Sequence, residues 1–379
     1  MMKWLKNEVV HHEGGLPLAL LALAAAVIGF VHYQVAPEQF KQVEHALHFL
    51  VLDVLLVAFF SLMAIGIQHL VHHQGRKVVY ILTALALMGA VLPALSYLVL
   101  SQGSGYTPEG AIVPTATDVI YSRTALTIAG ADTEVIRLVG HIGVIDDGLG
   151  LLSISGIELL HAIRDGQLAD FLIRLMIGVA IIIFAVILTW LMNQQENGLK
   201  RYMIPIVISW IGFYIGGLHP VLAGVPVMLI ARPSVLAKYE TPLVLSMFII
   251  IPLFGYITGG VDPADWSPLT TIILGSLFVM KMVGIGFGAL YLRRFSAHLQ
   301  QFTNGELIVS GLMAGIGFKV AGFAAILVFE GELLQEALLA TNSSVLLGIG
   351  VAIVLRGTHL IGLRWSRKHA PSVDDFHGV

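Results

Sequence analysis

Long apolar runs separated by brief polar punctuation dominate the chain. A helix needs about 20 apolar residues to cross a bilayer, and scanning for such runs predicts twelve helices. They lie near 16–35, 46–70, 77–100, 110–129, 135–160, 170–192, 203–218, 220–231, 242–259, 269–292, 307–329 and 343–364. The seventh and eighth are short and meet at Gly216-Gly217-Leu218-His219-Pro220, which reads either as a tight turn or as a re-entrant dip. No connection between the runs is long enough to hold a soluble domain, so the pattern predicts one membrane bundle spanning residues 1–379, with tails at 1–15 and 366–379.

Composition agrees with that pattern. Hydrophobic residues make up 57% of the 379 and charged residues only 12%, about half the charged share of ordinary soluble domains. The fold class this predicts is an all-α polytopic membrane protein. A net charge of -3 offers nothing to nucleic acid, and the absence of cysteine rules out disulfides, thiolate metal sites and redox thiols. The N-terminal MMKWLKNEVVHHEGG lacks a small-residue cleavage site and precedes a run long enough to span, so it reads as leading into a retained first helix.

Basic residues fix an orientation, because Lys and Arg favour cytoplasmic loops. With twelve helices and both termini inside, fourteen of the 21 Lys and Arg residues fall on the cytoplasmic side, and only Lys41 and Arg164 fall outside. The remaining five, Arg123, Arg174, Lys281, Lys319 and Arg356, lie within helices or at their ends. One helix missed or invented would switch the side of every later loop and erase the bias.

Against this apolar background, acids are conspicuous. Asp146 and Asp147 stand side by side in GHIGVIDDGLGLL, inside the fifth run. A carboxylate at bilayer depth costs roughly 2.5–3.5 kcal/mol on insertion scales, so a pair requires a cation, protons or a basic partner. Asp118 follows Pro114, Thr115 and Thr117 in the fourth run, and two readings stand there. In one, the proline and the threonine hydroxyls interrupt a helix at ion-binding depth; in the other, Thr115 or Thr117 caps a helix start. Lys281, about eight residues into the tenth run, is a basic partner of the right kind and reads as a buried ion pair or proton carrier more readily than as a snorkelling side chain. In the eleventh run, Gly315, Gly317 and Gly322 surround Lys319; they permit either close helix packing or unwinding beside an ion. Asp53 either lines a polar funnel or satisfies a neighbouring helix. HHEGG is not an HExxH zinc site and no Walker loop is present. Asp118 and Asp147 lie on different helices, as an intramembrane protease dyad requires, yet the adjacent Asp146 and the basic Lys281 fit that chemistry poorly.

Five stretches taken together resemble a known family. ATD at 116–118, VIDDGLG at 144–150, GGLHPVLAGV at 216–225, Lys281 before VGIG, and LMAGIGF at 312–318 occur in the order and approximate spacing of NhaA-type sodium/proton antiporters, over roughly residues 45–365. The resemblance implies inverted repeats, helices 3–5 and 10–12, with broken helices 4 and 11 crossing near the midplane. It implies Asp146 and Asp147 as the ion-binding pair that also takes the transported Na⁺, Thr117 and Asp118 as the helix 4 site, Lys281 as the helix 10 lysine, and His219 as the histidine near helix 8. It further implies electrogenic exchange of one Na⁺ or Li⁺ for two H⁺ across a bacterial inner membrane, with no cofactor. The rival readings are a transporter of K⁺ or an organic ion, a non-transporting sensor, and an intramembrane hydrolase.

This sequence also departs from the family pattern. Lys319 stands where the pattern has threonine, DDGLG replaces DDLGA, and Arg123 replaces an apolar residue. The segment HYQVAPEQFKQVEH is too short and too helical for the family's dimer-forming hairpin, so the resemblance does not carry a homodimer over to this chain. The acidic and basic cluster that ends helix 2 in the family is replaced by GIQHLVHHQGRK, which has no acid. Histidine titrates near neutrality, so pH control is expected to pass to His69, His72 and His73, with His141 below the aspartates. Replacing the three clustered histidines by Gln is expected to move the activity profile along the pH axis; an unchanged profile would remove them from pH control.

Overall fold

The computed structural model describes residues 16–193 and 202–358, and among these every regular element is a helix. The expected tails therefore lie outside the described residues, as do the side chains of Asp53, His72 and His73.

In chain order, α1 (Leu16–Val35) leads directly into α2 (Pro37–Phe49), which continues through a π-helical stretch (Leu50–Leu55) into α3 (Leu56–Leu100). Within α3 the axis breaks at Gly75, whose φ of 71° and ψ of 150° are open to glycine and strained for other residues; the second and third apolar runs part here. A 3₁₀ stretch (Pro108–Thr115) precedes α4 (Val119–Ala129), followed by α5 (Thr133–Arg164), α6 (Leu168–Met192), α7 (Met203–Ile215), α8 (Gly224–Ile230) and α9 (Pro233–Thr258). Next, α10 (Pro268–Gly275) runs through two π segments (Ser276–Met280 and Met282–Phe287) into α11 (Gly288–Leu292). The short α12 (Ala297–Gln300), then α13 (Asn304–Ala314), α14 (Lys319–Val328) and α15 (Gly331–Thr358), complete the described residues.

Among the described residues, seven helices are long and apolar enough to cross a membrane: Leu16–Val35, Pro37–Val71, Lys77–Leu100, Leu168–Met192, Pro268–Phe295, Asn304–Val328 and Gly331–Gly357. Three shorter apolar helices, Met203–Ile215, Pro220–Ile230 and Leu243–Thr258, accompany them. The outer surface suits lipid: α6 exposes Ile173, Met176, Ile183, Phe184, Ile187 and Trp190, all about half or more accessible. Such a continuous apolar face exceeds what soluble proteins leave to water.

Several boundaries differ from the apolar runs, for one physical reason. The last helix begins at Gly331, twelve residues before the run at 343, because its first turns, GELLQEALLA, are amphipathic. Glu336 there accepts a hydrogen bond from Ser267 Oγ at 2.6 Å, and its backbone carbonyl accepts one from Thr270 Oγ1 at 3.0 Å. Likewise α9 begins at Pro233, ahead of the run at 242, and α2 occupies the polar stretch before the run at 46. Between α7 and α8 the chain makes a turn with Gly217 at φ 68°, then a 3₁₀ turn over Pro220–Ala223.

Close backbone approach at glycine sets the packing near Lys281. A Cβ at Gly284 would lie 2.5 Å from the Met88 carbonyl oxygen of α3, and one at Gly311 of α13 would lie 2.4 Å from the Gly286 amide nitrogen. The π-helical segment is thus wedged between α3 and α13. Gly311→Val is expected to push this segment away and destabilise the protein by about 1–3 kcal/mol, the usual cost of overpacking. A melting temperature equal to the parent's would show that the contact does not fix the segment's position.

Candidate ion site at the meeting of two interrupted helices

Two places leave α-helical geometry and lie against each other. Between the 3₁₀ turn ending at Thr115 and α4, residues Ala116 to Asp118 leave helical geometry, with Ala116 and Asp118 extended; between α13 and α14, Ile316 to Phe318 are likewise non-helical. The Asp118 amide donates to the Ile316 carbonyl at 2.6 Å, and Thr117 Oγ1 donates to the Ala314 carbonyl at 2.8 Å. Gly317 allows the approach, since a Cβ there would lie 2.8 Å from Leu277 Cδ2 and 3.1 Å from the Ala116 carbonyl oxygen. Ser344 of α15 holds the second segment of the crossing: its Oγ accepts from the Gly317 amide at 3.1 Å and sits 2.9 Å from the Gly317 carbonyl oxygen.

Neither Thr115 nor Thr117 caps α4. Asp118 does, its Oδ1 accepting from the amides of Ile120 at 2.9 Å and Tyr121 at 3.1 Å. Its other neighbours belong to α14: the Lys319 amide donates to Oδ2 at 3.2 Å and Lys319 Nζ to Oδ1 at 3.1 Å. The carboxylate is thus held by four donors, about the number it has sites to accept. Lys319 Nζ also lies 4.7 Å from the centre of the Phe59 ring, within cation–π range.

Lys281 does not reach for an interface. It is wholly buried, and its three protons have three acceptors: the Thr115 carbonyl at 2.5 Å, Thr117 Oγ1 at 2.9 Å and Asp146 Oδ2. The π-helical stretches on either side of it widen the helix at this point, a deviation frequent at functional sites.

Asp146 and Asp147 lie in the middle of α5, at 0% and 1% exposure. Consecutive residues on an α-helix project about 100° apart, so the two carboxylates face different partners. Asp146 meets Lys281; Asp147 lies in the field of Lys319, Asp118, Asp146 and Lys281. Oδ1 of each receives no hydrogen bond from the described residues. Each acid thus keeps one buried oxygen able to take a proton or a small cation.

Other residues singled out in the sequence sit elsewhere. His141, on α5, has Arg137, His298 and Arg123 as charged neighbours, which groups it with the basic end of the helix. His219 lies against α14: its Nδ1 accepts from the Val221 amide at 3.4 Å and its ring meets Phe323 edge-on at 4.9 Å. His69 is half-buried on α3. Sequence reasoning named Thr115 only for its hydroxyl and missed its carbonyl, and it missed Ser344 and Phe59 altogether. The run Thr341-Asn342-Ser343-Ser344, four polar residues within an apolar helix, was a usable signal for Ser344; nothing marked the Thr115 carbonyl or Phe59.

The model of the family described as Na+/H+ antiporter 1 matches residues 14–360. The Na(+)/H(+) antiporter NhaA of Geotalea uraniireducens (strain Rf4) is 27% identical over 97% of this chain and 100% of its own length. That of Jannaschia sp. (strain CCS1) is 29% identical over 77% of this chain and 78% of the relative. The Na(+)/H(+) antiporter NhaA 2 of Clavibacter michiganensis subsp. michiganensis is 30% identical, over 88% and 84% respectively.

Proposed function

Because this chain belongs to the Na+/H+ antiporter 1 family, we propose that it exchanges Na⁺ or Li⁺ for protons, with cation and protons competing for Asp146 and Asp147. It is a multi-pass bacterial membrane protein and a secondary transporter, not an enzyme. The proposed setting is the inner membrane, with twelve spans, both termini cytoplasmic, and inverted repeats whose interrupted helices cross at the site.

The observation that carries the reading is the pair of buried, adjacent carboxylates, each with an oxygen that takes no hydrogen bond from the described residues, beside a lysine held by one of them. When the site faces a proton-poor side, Asp147 releases its proton and Na⁺ settles between the two acids. Its charge weakens the hold of Asp146 on Lys281, which gives up a proton in turn. Two protons leave as one cation enters. When the site faces a proton-rich side the sequence reverses, and the ion leaves because the charge that held it is gone. Thr117 keeps Lys281 oriented throughout, and the exchange calls on no cofactor.

One net charge moves per cycle, so a membrane potential contributes about 2.3 kcal/mol per 100 mV to drive it. Alternating access would come from α4, α5, the π-helical segment and α13–α14 shifting against the remaining helices, as in other transporters built on broken helices.

In proteoliposomes holding a pH gradient, Na⁺ or Li⁺ is expected to collapse the gradient and Asp147→Asn to abolish the response. An equal response of parent and variant would take the ion off Asp147. A response to K⁺ alone would favour the altered-substrate reading, and no response to any cation would leave a sensor or hydrolase.

A further inference from the structure

Lys319 is a buried charge that the exchange described above does not use. It is 2% exposed, begins α14, and reaches across the crossing to Asp118. Among the described residues the crossing therefore holds three buried acids, Asp118, Asp146 and Asp147, and two buried lysines, Lys281 and Lys319.

The two acids without a capping role differ sharply from the third. Asp118 is engaged through both oxygens: Oδ1 accepts from two amides of α4 and the Lys319 ammonium, and Oδ2 from the first amide of α14. Its charge is matched by the Lys319 ammonium, so it holds a metal ion less strongly than a carboxylate without a counter-ion would. Asp147, which also lies in the field of Lys319, has an oxygen that receives no hydrogen bond from the described residues.

We propose that Lys319 is a tethered cation that withdraws Asp118 from the ion site, confines the transported ion to Asp146 and Asp147, and sets how weakly that ion is held. This rests on the antiporter reading. With both lysines charged, the five groups carry one net negative charge; without Lys319 they carry two, and Asp118 loses its counter-ion. The lysine thus limits the pocket to a single monovalent ion and lowers its affinity, which favours release on the far side of the membrane. Lys319 is a specificity-determining and positioning residue, acting on the ion through charge.

The test compares the parent with Lys319→Met, which keeps the bulk without the charge, in proteoliposomes at fixed pH with Na⁺ varied. Removing a unit charge from a low-dielectric pocket is expected to lower the KM for Na⁺ at least about five-fold, while kcat falls because release slows. Lys319→Arg is expected to move KM far less than Met does. Should Lys319→Met fail to fold, Lys319→Gln supplies an uncharged donor to Asp118 and serves in its place. Stabilisation of the purified proteins against heating by Na⁺ alone gives a second readout, since a ligand that binds the folded state raises its stability with concentration. There the uncharged variant should need several-fold less Na⁺ for the same shift. An uncharged variant with the parent's KM and the parent's Na⁺ dependence of melting, changed only in yield or melting temperature, would reduce Lys319 to a structural tie and overturn the proposal. Failure of the parent itself to exchange Na⁺ would strike the antiporter reading, a result separable from any difference between parent and variants.

Discussion

Everything at the centre of this protein depends on keeping charge in a place that water does not reach. Five ionisable side chains, Asp118, Asp146, Asp147, Lys281 and Lys319, are each no more than 2% exposed. Removing one partner of a buried ion pair typically costs about 3–5 kcal/mol, because it strands the other. The fold meets this demand by interrupting two helices where they pass, so that backbone groups and side chains from distant parts of the chain converge. Lys281 alone joins the 3₁₀ turn before α4, the non-helical segment after it, and α5.

Helix ends make the same point from the backbone side. The N-terminus of a helix carries partial positive charge and unpaired amides. Here α4 and α14 both begin at the crossing, and one carboxylate, Asp118, accepts from the first turns of both. Starting α14 with a lysine adds positive charge at its unfavourable end, and the same carboxylate offsets that charge too. The non-helical segments are held by specific partners, Ile316 for the Asp118 amide and Ser344 for Gly317, so the crossing is a defined structure. An arrangement with this many mutual dependencies has few ways to change one ion pair without disturbing the other.

Much of the architecture was legible in the apolar runs, because lipid imposes length and polarity on anything that spans it. Boundaries shifted where polar turns extend a helix beyond its apolar part, as at Gly331 and Pro233. The acids and lysines could be recognised as buried chemistry, since a charge inside an apolar run has no cheap alternative. Their pairing could not be read from periodicity. Asp146 and Lys281 are 135 residues apart and Asp118 and Lys319 are 201 apart, so only tertiary structure brings them together. The threonines near Pro114 were ambiguous because hydroxyls both cap helices and replace lost backbone partners. The capping role went to Asp118, and Thr117 went to Lys281 and the Ala314 carbonyl.

The central claim is that cation and protons compete for the same acids. It is tested most directly by adding Na⁺ to purified protein in weakly buffered solution containing a pH-sensitive dye. The account predicts that Na⁺ binding acidifies the solution as protons are displaced, and that the signal is lost in Asp147→Asn. Binding of Na⁺ detected by thermal stabilisation without any release of protons would contradict it.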